Sequence, residues 1–197
     1  MKLNKKLILA SRSPRRQTLL RQIGLKFEVR ESGVDEDGMD GSHPEEYVTS
    51  LSLRKASAVA TKDEEAIVIG ADTIVVLDGT ILNKPRDEDD ARRMLARLSG
   101  KIHKVYTGFT LVDSPSMRSV SAVEVTDVQF RVLDREEIAA YVRSGSPMDK
   151  AGAYGIQDDY GAVFVERIDG CFYNVVGFPL AKFYKTLQQF SSHTSHD

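Results

Sequence analysis

Apolar positions recur along this chain of 197 residues in two rhythms, and the changes between them mark the elements. Residues 7–10, LILA, form a short continuous apolar run that predicts a buried strand. SRSPRR follows, and from Pro14 the spacing turns helical, with Leu19, Leu20 and Ile23 on one face and Gly24 as the stop. Ser13 suits the N-cap of that helix and Pro14 its first position. Residues 26–32 read as a second strand. Ser42 and Glu45 have the spacing of a capping box opening a helix that runs to about Ala60. The longest apolar run, AIVIGADTIVVL over residues 66–77, is rich in β-branched side chains and reads as a central strand, or as two with a break at Gly70.

The second half is punctuated as clearly. Asp78-Gly79 predicts a hairpin turn into a short strand at 80–82, and Asp87 caps a helix whose Ala91, Met94, Leu95 and Leu98 form one apolar stripe before Gly100. Strands over 104–112 and 119–132 make a second hairpin, with a change of apolar phase that predicts a bulge near Asp127. Asp134 and Glu137 open a helix with Ile138, Tyr141 and Val142 inward and Gly145 at its end. Residues 147–161, PMDKAGAYGIQDDYG, have no periodicity, and a loop of that length in a compact domain is usually functional. Strands near 163–165 and 172–176, turned at Asp169-Gly170, then precede a helix after Pro179 with Leu180, Phe183, Tyr184, Leu187 and Phe190 on its core face. This order of strands and helices predicts an α/β fold.

Composition narrows the class of function. With 27 basic and 29 acidic residues the net charge is -2, so no global basic field attracts nucleic acid and any anion site must be local. The single cysteine, Cys171, excludes an internal disulfide and a cysteine-based zinc cluster, and is expected to be a small buried apolar group. No apolar run reaches a membrane span and residues 1–6 lack a signal-peptide pattern, so a soluble cytoplasmic protein without membrane partners is expected.

Local charge points to a site. Arg12, Arg15 and Arg16 crowd the N-terminal end of the first helix, where the helix dipole is already positive. Free backbone N–H groups and guanidinium forks together favour phosphate; the plainer alternative is surface pairing with the chain's acidic side chains. Asp72 lies inside the longest apolar run, where an ionised carboxylate needs a cation, a metal or good hydrogen bonds. It reads as a metal ligand or general base, against a structural tie at Gly70. Lys55 interrupts the row Tyr47, Leu51, Lys55, Val59 and either snorkels outward or points into a cleft. Lys84 fits a solvated loop or a phosphate contact. Lys150, Tyr154 and Gln157 are suitable partners for a phosphate and a base, against a surface loop with one buried tyrosine. Asp35, Glu36, Asp37 and Asp40 read as a solvated acidic loop that could also ligate a hard cation. The four histidines, His43, His103, His193 and His196, are scattered and form no metal motif. With no glycine-rich Walker loop, the inventory fits polyphosphate hydrolysis better than kinase or dinucleotide chemistry.

The segments LILASRSPRR, GADTIVVLDG, NKPRDEDDARRMLARLSG, MDKAGAYGIQ and VVGFPL, in this order, closely resemble the Maf family of nucleotide pyrophosphatases, once described as septum-formation inhibitors. The resemblance runs from Leu7 to about Phe190. It implies one domain over 1–190, a two-lobed mixed β-sheet flanked by helices with a central cleft, similar to inosine triphosphate pyrophosphatases, and a polar tail over 191–197. It implies hydrolysis of a nucleoside triphosphate to monophosphate and pyrophosphate with Mg²⁺ or Mn²⁺, and a homodimer. Matched position by position, Asp72 corresponds to the proton acceptor and, with Glu36, to the metal ligands. Ser11, Arg15 and Arg16 correspond to the phosphate loop, and Glu36, Lys55 and Lys84 to further polar positions. Arg15, Thr73 and Gln157 correspond to positions of substrate preference, with the identities of the dTTP and UTP subgroup. Asp158, Asp159 and Tyr160 depart from the family's short glycine-rich turn. Clean-up of modified nucleotides and a noncatalytic, nucleotide-binding regulator of division are the alternative expectations.

Overall fold

The structure, a computed structural model, describes residues 4–35, 43–61, 64–157 and 160–192. Seven strands and six α-helices occur among them, in the order β1 (Lys6–Leu9), α1 (Pro14–Gln22), β2 (Phe27–Val29), α2 (Pro44–Val59), β3 (Ala66–Leu77), β4 (Thr80–Leu82), α3 (Glu88–Leu98), β5 (Ile102–Asp113), β6 (Ser119–Phe130), α4 (Arg135–Arg143), β7 (Val165–Asp169), α5 (Phe172–Val176) and α6 (Leu180–Ser192). The strands form one mixed sheet in the order β2-β1-β3-β5-β6-β7, with β4 paired to β3. Among the described residues no helix is long and apolar enough to cross a membrane. The chain divides into two compact units, the first comprising Met1–Asp72, Thr107–Glu124 and Gly177–Asp197, the second Thr73–Tyr106 and Val125–Val176.

In the first unit β1 lies between β2 and β3 and is parallel to both, with Leu9 beside Val29 and Ile69. Parallel strands of this kind are apolar on both faces, and Leu7, Ile8, Leu9 and residues 66–69 are all buried. Helix α2 covers β3 and β5 at unusually close range. A Cβ on Gly70 would lie 2.1 Å from the Ser52 carbonyl oxygen, and one on Gly108 would lie 2.6 Å from that of Val48. Only glycine admits that approach.

The second unit is built around Val75, Leu77, Leu82, the apolar stripe of α3, and Phe130, Ile138, Tyr141 and Phe164. Asp78 and Gly79, with φ of 50° and 74°, make the tight turn joining β3 to β4. Asp134 and Glu137 complete the capping box of α4.

Several expectations are corrected. β3 runs unbroken through Gly70, as the first of the two readings of this run expects, and the alternative break is replaced by a glycine that accommodates a helix. Helix α2 has His43 at its N-cap position, without a side-chain cap hydrogen bond, and Pro44 at its first position; Ser42 lies outside the described residues. β6 carries a register shift against β7 between Gln129 and Phe130, two residues beyond Asp127, near which a bulge is expected. Residues 172–176 are helical despite their β propensity. There Asn174, fully buried, donates from Nδ2 to the Val105 carbonyl and the Thr126 hydroxyl, and these tertiary bonds outweigh propensity. Tyr184 is exposed because the buried stripe of α6 steps through Leu180, Phe183, Leu187 and Phe190. Cys171 is half-buried rather than buried. Helix α6 includes Ser191 and Ser192, which are expected in the polar tail; residues 193–197 lie outside the described residues.

Candidate active site

The first unit assembles most of the charged candidates. Beyond β1 the ladder continues with Ala10 N–H donating to the Ile69 carbonyl at 2.8 Å, so Ser11 leaves the sheet beside Gly70. Ligands of parallel α/β sheets bind at such carboxyl ends. The chain then turns into α1, where the Ser13 hydroxyl accepts from the Arg16 backbone N–H, and the first helical turn contains no acidic residue. Arg16 is nine-tenths buried, and its guanidinium donates to the Gly177 carbonyl at 3.0 Å and to the Ser11 hydroxyl at 3.2 Å. Arg16 thus ties the turn to the segment after α5. Arg15 is half-buried, while Arg12 is exposed and lies 3.8 Å from Glu31.

Gly70 and Asp72 lie two apart on β3 and so share the face covered by α2. The close approach at Gly70 brings Lys55 down onto that face. Its ammonium donates to Asp72 Oδ1 at 2.7 Å, with only 7% and 9% of the two side chains exposed. Lys55 therefore does not snorkel, and it is the cation that compensates the carboxylate within the apolar strand. Three residues before Lys55, Ser52 shares a hydrogen bond with Thr110, which shares another with Ser121, so polar groups under α2 are satisfied in a chain.

In the second unit Thr73 and Gln157 are half-buried and Lys84 is exposed. The backbone N–H of Gly152 donates to the carbonyl of Asn83, the neighbour of Lys84, at 3.2 Å. Two other loop candidates have structural duties. Lys150 bonds to Ser146 and pairs with Asp149 within the loop. Tyr154 is the buried tyrosine: its hydroxyl shares a 2.8 Å hydrogen bond with His103 Nε2, and its ring meets Phe130 edge-on at 4.7 Å. Burial lowers the His103 pKa to about 4 against a small opposing effect of Asp127, and burial also raises that of Tyr154. In the sequence His103 stands out only as one of four scattered histidines. Its signal was an alternation, His103, Val105, Thr107, that places it on the inward face of β5. Glu36 lies outside the described residues, as do Asp37, Asp40, Asp158 and Asp159.

These features define an α/β protein whose first unit combines a cation-rich helix start with a buried lysine–carboxylate pair at the ends of parallel strands. The chain belongs to the Maf-like protein family, which it matches over residues 6–190. It is 50% identical over 184 residues to a dTTP/UTP pyrophosphatase of Carboxydothermus hydrogenoformans, covering 93% of this chain and 98% of that protein. A dTTP/UTP pyrophosphatase of Salinibacter ruber is 52% identical over 182 residues, covering 92% and 89%. One from Bacillus cytotoxicus is 50% identical over 192 residues, covering 98% and 99%. Among solved structures, a HAM1 protein from Coxiella burnetii has a similar fold, with a TM-score of 0.52 at 14% identity over 94% of this chain and 99% of that one.

Proposed function

We propose that this chain hydrolyses dTTP and UTP to the nucleoside monophosphate and pyrophosphate. The observation that carries the reading is the buried Lys55–Asp72 pair, one strand away from an arginine-bearing helix start with no acidic residue in its first turn. The dTTP/UTP pyrophosphatases that share about half of its residues support the substrate class. Water attacks the α-phosphorus, the bond from that phosphorus to the α,β-bridging oxygen breaks, and pyrophosphate leaves. Asp72 accepts the water's proton, and Lys55 holds the carboxylate in place. Ser11 and Arg15 bind triphosphate oxygens, with Arg16 fixing the turn that presents them and Lys84 adding positive charge. Thr73 and Gln157 contact the nucleoside.

The family resemblance also implies a divalent ion. Among the described residues no group of three or more His, Cys, Asp or Glu side chains could hold one. Mg²⁺, however, is commonly held by one or two carboxylates together with substrate phosphates, and Asp72 is a suitable oxygen donor. Asp72, with Glu36, would hold Mg²⁺ or Mn²⁺ against the triphosphate. When bound, the ion would neutralise charge developing on the transferred phosphoryl group.

The test is incubation with dTTP or UTP and Mg²⁺, with products separated by chromatography. Monophosphate and pyrophosphate in equal amounts are expected, with at least a hundredfold loss in Asp72→Asn. Nucleoside diphosphate and orthophosphate, or binding without turnover, would contradict the reading.

A further inference from the structure

We propose that His103 is a positioning residue whose hydrogen bond to Tyr154 fixes the segment leading to Gln157, and so sets which base the protein accepts. The inference rests on the reading that Gln157 contacts the nucleoside. All of its parts lie in the second unit.

The segment from Gly152 to Gly155 is bolted at four points. Gly152 N–H donates to the carbonyl of Asn83, next to Lys84. The Gly152 backbone lies so close to Val75, two residues beyond Thr73 on β3, that a Cβ there would come within 2.9 Å of its side chain. Gly155 N–H donates to the Tyr141 hydroxyl at 3.3 Å, and the Tyr154 hydroxyl meets His103 Nε2 at 2.8 Å. Each bolt therefore ties the approach to Gln157 to the core or to the neighbourhood of Thr73 and Lys84.

The backbone between these bolts is strained. Gly152 and Ala153 are both left-handed, with φ of 68° and 62°, and Ala153 is fully buried. An alanine persists in that conformation only where its surroundings over-determine it. Tyr154, the next residue, sets its ring edge-on to both Phe130 and His103, which also meet each other, and its hydroxyl on the imidazole. Apolar contact alone would leave the ring free to shift along its axis; the hydrogen bond at its tip removes that freedom. His103 Nδ1 has no hydrogen-bond partner among the described residues, so the bond to Tyr154 is what the ring's polar edge does there. Neither residue is otherwise used in the proposed reaction.

The experiment compares wild type, Tyr154→Phe, His103→Phe and His103→Gln, whose amide nitrogen can occupy the place of Nε2. For each, kcat and KM are measured with dTTP, UTP, CTP and dGTP. Dissociation constants for the same nucleotides are measured by calorimetry with each substitution placed in the Asp72→Asn background. Loss of the bond in Tyr154→Phe or His103→Phe is expected to reduce the preference for dTTP over dGTP at least fivefold, through KM and affinity, with kcat on dTTP kept within about twofold. His103→Gln is expected to restore most of the preference. Folding is checked by thermal melting, and Tyr154→Phe keeps the ring in place should His103→Phe fail to fold. An unchanged ranking in folded variants, or an equal loss on every nucleotide, would overturn the inference. The affinities decide this even without turnover, whereas absence of turnover in wild type would count only against the pyrophosphatase reading.

Discussion

A lysine and an aspartate that sit almost out of water, 2.7 Å apart, make each other possible. Removing one partner of such a pair leaves an uncompensated charge and typically costs about 3–5 kcal/mol, whereas replacing both with apolar groups is often near neutral. Lys55→Met is thus expected to lower thermal stability markedly, and Lys55→Met combined with Asp72→Leu to recover much of it while remaining inactive. Thermal melting of the single and double variants checks this, and equal destabilisation by both would sink it. His103 gives a second prediction at this scale. Its pKa is about 4 in the folded chain and near 6.5 when unfolded, so between those values only the unfolded state takes up the proton. Stability therefore falls as pH drops from about 6.5 to 4, by about 3 kcal/mol in all, and this loss levels off below pH 4. The Tyr154 phenol faces the imidazole, and Asp127, paired with Lys104, opposes the shift. Glu64 and Glu137, held at about 2 chiefly by Arg30 and Arg131, lose their contributions only below about pH 4.5. Denaturation midpoints across pH should show a shallower slope between 6.5 and 4 in His103→Gln than in wild type; identical slopes would contradict the assignment.

At the scale of elements, the fit of α2 on β3 decides where Lys55 ends. With Gly70 the helix backbone approaches the strand directly; with alanine the added carbon would be 2.1 Å from the Ser52 carbonyl oxygen and 2.7 Å from Ala56 N. Both obstacles are backbone, so the helix must move, at a cost of about 1–3 kcal/mol or more. Gly70→Ala is accordingly expected to cut kcat on dTTP by at least tenfold, more than its loss of stability alone predicts at a temperature where the variant is folded. A variant with full kcat would show that the close approach is dispensable. Elements of this kind were legible where one local rule dominates. Ser13, Asp87 and the Asp134–Glu137 pair cap helices as their spacing indicates, and Asp78-Gly79 turns the hairpin. They were not legible where a distant partner decides. The FYNVV segment bends into a helix around buried Asn174, and Gly70, which the pattern alone leaves open between a continuous strand and a break, is a seat for a helix.

Over the whole chain, the boundary between the two compact units falls between Asp72 and Thr73, inside a single strand. The candidate site residues Ser11, Arg15, Arg16, Lys55 and Asp72 belong to the first unit, and Thr73, Lys84 and Gln157 to the second. Chemistry was the more visible part of this in the sequence, because a carboxylate in an apolar strand and arginines at a helix start violate local physics and so stand out. Positioning was less visible. Arg16 reads only as a phosphate ligand in the sequence, which does not reveal that its guanidinium also reaches the Gly177 carbonyl, 161 residues away. His103 is one scattered histidine until Tyr154 closes on it. Product analysis of dTTP hydrolysis with Mg²⁺ tests the proposed activity most directly. Wild type should yield dTMP and pyrophosphate one for one, and Asp72→Asn, verified as folded by melting, should yield neither. Formation of dTDP and orthophosphate, or undiminished turnover by folded Asp72→Asn, would contradict it.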